Sequence, residues 1–216
     1  EIRDAWFFAA ASGRLEQLHQ IAETGAVPLD AQDSRGVTAL MLAAAAGREG
    51  CVGFLLRRGA SPDATDARGW TATMHAAYHG EEGSLKRLAG AGADLDRRDF
   101  LGTTAAMRAA LGGHVACVQS LAAEGADVGL TDNLGLGAAQ HAGRNGHAQC
   151  AKFLEELRPR GPKDGPRARG ASCRGATSET VPLPTILPKR RASRGSPCHS
   201  KGASPMHLPG MAAVAA

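Results

Sequence analysis

A 33-residue period runs through the first three-quarters of this 216-residue sequence. An Asp recurs three residues before a Gly, and two further glycines keep the same spacing. The four ladders are Asp33, Asp66, Asp99 and Asp132; Gly36, Gly69, Gly102 and Gly135; Gly47, Gly80, Gly113 and Gly146; and Gly59, Gly92 and Gly125. A fixed period of this length is typical of solenoids, in which each unit stacks on its neighbours.

Each period is predicted to hold a turn and two short helices. Asp-x-x-Gly is a turn sequence, because Asp bonds to nearby backbone and Gly adopts positive φ. A Thr follows two residues later and can cap the first helix, at Thr38, Thr71 and Thr104. The third-ladder Gly ends that helix, and the fourth-ladder Gly ends a second one. Ordering the backbone costs about 1–2 kcal/mol per residue, so a lone pair of helices needs stacked neighbours.

These motifs identify a family resemblance. Asp-x-x-Gly-x-Thr, then Ala-Ala, then Gly-Ala-Asp at a 33-residue period resembles the ankyrin repeat, as does the run from Gly125 to Val128. The resemblance extends to about Leu157 and implies an all-α ankyrin-repeat solenoid of about five helix–turn–helix units. Their expected bounds are 1–32, 33–65, 66–98, 99–131 and 132–158.

The sequence departs from the family pattern in three places. Ala replaces the Pro with which the family starts its first helix, at Ala39, Ala72, Ala105 and Ala138. The last unit has Gly137 in place of the capping Thr and Gly143 in place of Ala, so we expect it to be the weakest. The first unit lacks the turn motif, which suits a terminal cap. Because the sequence starts at Glu1 rather than Met, we interpret it as a fragment or processed form.

Residues 159–216 form a basic segment of different composition. They contain 10 Lys and Arg against 2 Asp and Glu, whereas residues 1–158 contain 15 against 19. The segment is rich in Pro, Gly, Ser and Arg without apolar periodicity, so we predict a disordered tail. Lys189 to Ser193 resembles a basophilic kinase site, with Ser193 as a phosphorylation candidate, and also a nuclear-import patch. The alternative for Lys189 to Ser193 is a solvated basic linker. The apolar run Val181–Leu187 resembles the end of a SOCS box; the alternative is an extended proline-rich segment that docks in an aromatic groove.

The positions of the cysteines and histidines indicate packing roles rather than a metal or redox site. Cys51, Cys117 and Cys150 share one position in the second helix, where we expect buried free thiols. Five cysteines without a secretory signal favour a reducing compartment. His75 and His79 lie four apart, but a zinc site needs more ligands than these two. We interpret them, with His114 and His147, as packing or surface residues, and predict no metal and no cofactor.

The resemblance implies a recognition surface at the turn tips and the exposed side of each first helix, on the concave face. Trp and Tyr beside Arg are typical of binding hot spots. The alternative is that Trp70 and Phe100 pack the turns together. The candidate partner-binding residues are Arg35, Arg68, Trp70, Tyr78, His79, Phe100, Leu101 and Leu134, with Val37, Leu111, Leu136 and Arg144 at neighbouring positions.

We therefore predict a non-catalytic adaptor or scaffold that binds a protein of unknown identity. No phosphate-binding, nucleophile-elbow or Cys-x-x-Cys motif supports an enzyme. One alternative is a nuclear or chromatin regulator whose basic tail binds nucleic acid; another is the targeting subunit of a larger enzyme complex. Because the sequence contains no run of 18 apolar residues, we predict no membrane-spanning segment. We expect a monomer that is located in the cytoplasm, the nucleus or both.

Overall fold

The computed structural model describes residues 2–157, which form ten α-helices in five pairs. The all-α architecture is therefore confirmed. The predicted tail, including Ser193 and Val181–Leu187, lies outside the described residues. The helices are α1 (Ile2–Ser12), α2 (Leu15–Thr24), α3 (Ala39–Ala45), α4 (Glu49–Arg57), α5 (Ala72–His79), α6 (Glu82–Gly90), α7 (Ala105–Gly112), α8 (Val115–Ala123), α9 (Ala138–Arg144) and α10 (Ala148–Leu157).

The helices stack in two layers. The first helices pack in the order α1, α3, α5, α7, α9, and the second helices pack in the order α2, α4, α6, α8, α10. Small residues let the first helices approach closely, since the paired alanines at 43–44, 76–77 and 109–110 are fully buried. The second helices bury a leucine at each period, at Leu55, Leu88, Leu121 and Leu154. The core is thus one continuous stripe between the layers.

Each ladder Asp closes its turn with two backbone hydrogen bonds. In the second unit, Asp33 Oδ1 accepts from the backbone N–H groups of Arg35 and Val37, both at 2.8 Å. Asp66, Asp99 and Asp132 accept from the corresponding residues at 2.8–2.9 Å. The Gly three residues later has a φ of +76° to +79° in all four turns, as the turn prediction requires.

The first helices begin at the four alanines that replace Pro. Thr38 and Thr71 cap their helices by accepting from a backbone N–H at 3.3 Å, as predicted. The prediction for Thr104 is wrong, because its hydroxyl is buried without a hydrogen-bond partner although its backbone occupies the cap position. The last unit lacks this Thr bond; there Gln140 Oε1 accepts from the backbone N–H of the cap residue Gly137, at 2.9 Å.

Neighbouring units are also joined by hydrogen bonds. The backbone N–H of Ala67 donates to Arg35 O at 2.9 Å, and the same bond recurs in the two later turns. His114 Nε2 lies 3.1 Å from Tyr78 O, and His147 Nε2 lies 3.1 Å from Leu111 O. These carbonyls belong to the C-terminal ends of the preceding first helices, where backbone oxygens lack helical partners. The packing interpretation of both histidines is confirmed.

Three of the turn aspartates also pair with a basic side chain nine residues later. His75 Nε2 lies 3.2 Å from Asp66 Oδ2, and His141 Nε2 lies 2.9 Å from Asp132 Oδ2. Arg108 donates from Nη2 to Asp99 Oδ2. The second unit has Leu42 at this position, and Asp33 is correspondingly more exposed. The first helix is therefore anchored to its own turn in units three to five.

These pairs predict unequal losses when the aspartates are replaced. Asp99→Ala removes two backbone hydrogen bonds and leaves Arg108 as a buried cation without its counter-ion, which costs at least about 3 kcal/mol of unfolding free energy. Asp33→Ala removes similar backbone bonds without stranding a buried charge, which costs about 1–2 kcal/mol. Urea denaturation followed by circular dichroism measures both values. Equal losses would contradict the proposed role of the buried pair.

Candidate protein-binding surface

The four turns, at 33–37, 66–70, 99–103 and 132–136, lie beside the first helices that they precede. We call these turns and the exposed side of α3, α5, α7 and α9 the turn surface. Most candidate residues are exposed on it, namely Arg35, Arg68, Tyr78, His79, Phe100, Leu101, Leu134 and Arg144; Leu111 and Leu136 are half-buried.

Two expected surface residues are instead buried. Trp70 is 7% exposed and Val37 is 5% exposed, so the prediction that they are exposed is wrong. Both occupy the position four residues after the turn Asp, and their N–H groups donate to that carboxylate. The alternative interpretation, that the Trp packs the turns together, holds for Trp70.

Trp70 is surrounded by cationic and aromatic groups. The guanidinium carbons of Arg68 and Arg108 lie 4.1 and 4.0 Å from the centroid of its ring, within the range of cation–π attraction. The rings of His75 and Tyr78 lie 5.2 and 5.5 Å away. Trp70 therefore holds Arg68 and Tyr78 in place at the edge of the turn surface.

Phe100 behaves in the opposite way and protrudes from its turn. It is 72% exposed, and its neighbour Leu101 is 65% exposed. The Phe100 ring lies beside Gly69, where an added Cβ would come within 3.2 Å of Cδ1. Leu134, which is 81% exposed, follows Asn133, whose N–H donates to Leu101 O at 3.0 Å. These side chains form an exposed apolar strip over the fourth and fifth units, next to the backbone of the third.

A cleft of about 360 Å³ opens between the turns of the third and fourth units. Its lining is largely apolar, and Trp70 and Phe100 contribute to it. The other lining residues are Ala67, Arg68, Asp99, Leu101 and Arg108. Four predicted candidates, Arg68, Trp70, Phe100 and Leu101, are therefore brought together at one place.

Arg108 is the cleft residue that the sequence reasoning missed. It is 9% exposed, and its Nε is buried without a hydrogen-bond acceptor. The sequence did contain a signal, since a basic residue stands nine positions after the Asp in three successive units. That spacing places the basic residue about one helical turn after the start of the first helix, where its side chain faces the Asp of the same unit.

The His75–His79 pair does not form a metal site. His75 is buried against Asp66, whereas His79 is exposed and its ring packs against Tyr78 with centroids 5.3 Å apart. Residues 2–157 contain no group of three or more His, Cys, Asp or Glu side chains placed to hold a metal ion. Burial lowers the pKa of His75, although the Asp66 carboxylate acts in the opposite direction.

The three cysteines of the helical stack are free and buried, as predicted. Burial raises the pKa of the Cys117 thiol to about 12, and the nearby Glu82 and Glu81 carboxylates act in the same direction. Burial also raises the pKa values of Cys51 and Cys150. Thiol reactivity requires the thiolate, so these groups serve as small core residues.

Comparison with known families agrees with this geometry. The family described as ankyrin repeats (3 copies) matches residues 6–99 and 83–161, which together cover most of the chain. The chain belongs to the ankyrin repeat family. No curated protein matches it individually. Ankyrin repeats are general protein–protein interaction modules and are typically non-catalytic, so a protein is the expected class of partner for this ankyrin stack.

The helices of the ankyrin stack are short. Within residues 2–157, none is both long enough and apolar enough to cross a membrane.

The buried His75 predicts that the stack loses stability as the pH falls below about 6.5, the ordinary His pKa. The folded state resists protonating His75, so the unfolded state binds more protons in this range and is favoured. One proton contributes at most about 1.4 kcal/mol per pH unit. Urea denaturation between pH 7.5 and 5.5 should show a smaller loss for His75→Gln than for the unmodified chain. His79→Gln, on an exposed neighbour, is the control; if both variants keep the full loss, the prediction fails.

The buried thiols predict slow thiol–disulfide exchange with an added disulfide reagent. In a Cys173→Ser/Cys198→Ser variant, the remaining cysteines are Cys51, Cys117 and Cys150. A pKa raised from 9.0 to about 12 lowers the thiolate fraction of Cys117 about a thousandfold at pH 8. A chromogenic disulfide reagent should therefore react with none of the three until urea unfolds the chain. Rapid reaction of the folded variant would show that the second helices open.

Proposed function

We propose that this chain is a non-catalytic adaptor or scaffold that binds a partner protein on its turn surface, across the second to fourth units. We also propose that the protein is monomeric and that it is located in the cytoplasm, the nucleus or both. The exposed apolar strip is the observation that supports it best.

The strip combines several features of a binding hot spot. Phe100 and Leu101 expose most of their area to solvent next to a cleft, and contiguous exposed apolar area marks interaction sites. Tyr78 lies beside the cleft residue Trp70 and is 43% exposed. Arg68 offers a guanidinium that is held in position by Asp66 at 3.2 Å. Aromatic and Arg side chains held in fixed positions carry much of the binding energy in protein interfaces.

The turn surface is held rigidly enough for recognition without large rearrangement. Each turn is bonded to its own Asp, and the last three are also bonded to the preceding turn, so little conformational entropy is lost when a partner binds. The buried Trp70 belongs to this support rather than to the contact itself. Its replacement would damage the fold, so it is unsuitable as a binding test.

The test is the double variant Phe100→Ala/Leu101→Ala of the full chain. Loss of two hot-spot side chains should weaken binding about thirtyfold or more, corresponding to about 2 kcal/mol. Affinity capture with quantitative mass spectrometry finds the proteins that the variant loses. Titration with the purified partner then gives the dissociation constants.

The matched control is Phe8→Ala/Leu15→Ala. These residues are also exposed, at 55% and 38%, but they lie in the first helix pair, outside the turns and helices that define the turn surface. A thermal melt of both variants checks that they are folded, since the truncated side chains are only partly exposed and the control removes the larger share of buried area. If the control loses the partner and the turn-surface variant retains it, the proposed surface is wrong.

A further inference from the structure

Charge is unevenly distributed over the ankyrin stack. Residues 1–158 contain 15 Lys and Arg against 19 Asp and Glu, so the stack as a whole is acidic. The first helices α3, α5, α7 and α9 nevertheless contain no Asp or Glu. Acidic side chains concentrate instead on the second helices and on the loops that follow them, for example at Glu49, Glu82, Asp94, Asp127 and Glu155.

The turn aspartates do not make the turn surface acidic. Asp66, Asp99 and Asp132 are buried, and each carboxylate is occupied by two backbone N–H groups and a basic side chain. Arg35 and Arg68 pair with their own turn aspartates, at 3.1 Å to Asp33 and 3.2 Å to Asp66, but their side chains remain 72% and 59% exposed. The aspartate side chains of the same pairs are only 20% and 2% exposed, so the charge that a partner meets there is mainly cationic.

Two arginines, Arg68 and Arg108, line the apolar cleft. Arg68 forms part of its wall, and Arg108 in the same wall has a buried Nε that no acceptor satisfies. At about 30 Å³ per water molecule, the cleft has room for about a dozen waters, enough for one large side chain with adjoining backbone. Apolar space next to exposed guanidinium groups fits an apolar side chain that is flanked by carboxylates.

We propose that the turn surface recognises an extended acidic segment of its partner, which inserts one aliphatic or aromatic side chain into this cleft. One carboxylate of the segment pairs with Arg68 and another with Arg35. This inference rests on the proposed function, since it specifies the partner chemistry of the same surface.

The repeat spacing sets the spacing of the carboxylates. The Arg68 turn borders the cleft, and the Arg35 turn lies one unit away, or about 10 Å. An extended chain covers that distance in about three residues. The segment therefore carries an acidic residue next to the apolar one and a second acidic residue about three positions further on.

The experiment selects random twelve-residue peptides displayed on phage against the full-length protein. Enriched peptides should share the apolar and acidic pattern, and their synthetic forms can be titrated by fluorescence anisotropy. Arg35→Gln/Arg68→Gln should weaken binding about fivefold and flatten its salt dependence, as expected for exposed ion pairs. The control Arg57→Gln/Lys152→Gln removes two exposed cations from second helices. It should change neither the affinity for the peptide nor the salt dependence of that affinity.

A double-mutant cycle isolates the ion pairs. Replacing the peptide's acidic residues by Gln should weaken binding to the unmodified protein about fivefold and binding to Arg35→Gln/Arg68→Gln hardly at all. A thermal melt of each variant confirms that it is folded. If the peptide substitutions weaken binding equally to both proteins, the peptide carboxylates do not pair with Arg35 and Arg68.

The remaining outcomes separate this inference from the proposed function. If the enriched peptides lack acidic residues but lose binding to Phe100→Ala/Leu101→Ala, the surface stands and the acidic partner is wrong. If enriched peptides bind that variant undiminished, the surface itself is wrong. If no peptide is enriched, the cleft does not recognise a linear segment, and the capture experiment with the intact partner still tests the surface.

Discussion

In each of the four turns, one Asp oxygen accepts two backbone hydrogen bonds and so fixes the direction in which the chain enters the first helix. The stack depends on this interaction, because it repeats the same entry angle every 33 residues. Helices that enter at one angle lie parallel from unit to unit and bury a continuous stripe. The other carboxylate oxygen then anchors the helix itself, through His75, Arg108 or His141.

The turns and helix starts could be predicted because they depend on local chemistry. Asp and Gly define a turn within four residues, and Thr38 caps its helix within three more, so sequence spacing alone is informative. Thr104 has the same sequence context but makes no cap bond, which shows that a favourable residue type does not fix its rotamer. The basic partner of each turn Asp lies nine positions away, beyond the range of those local rules.

The exposure of the candidate surface residues was harder to predict than the fold for a related reason. Every turn position looks exposed in a generic repeat, yet the side chain four residues after the Asp points inward, and this buries Trp70 and Val37. Phe100, one residue after its Asp, points outward and was placed correctly. Whether an aromatic residue is buried beneath the turn surface or exposed on it thus depends on a shift of three positions within one turn.

The range of the hydrogen bonds between units bears on how the stack folds and on how its number of units can change. Among the described residues, the side-chain bonds that join one unit to another span 31 to 38 residues, from Ser61–Asp30 to Ser120–Glu82. No such bond reaches past the adjacent unit, so each unit needs only its immediate neighbours in place to fold. When one whole 33-residue period is duplicated or deleted, the units that become neighbours meet through equivalent surfaces. The number of units in the stack can therefore change without a new kind of interface between units.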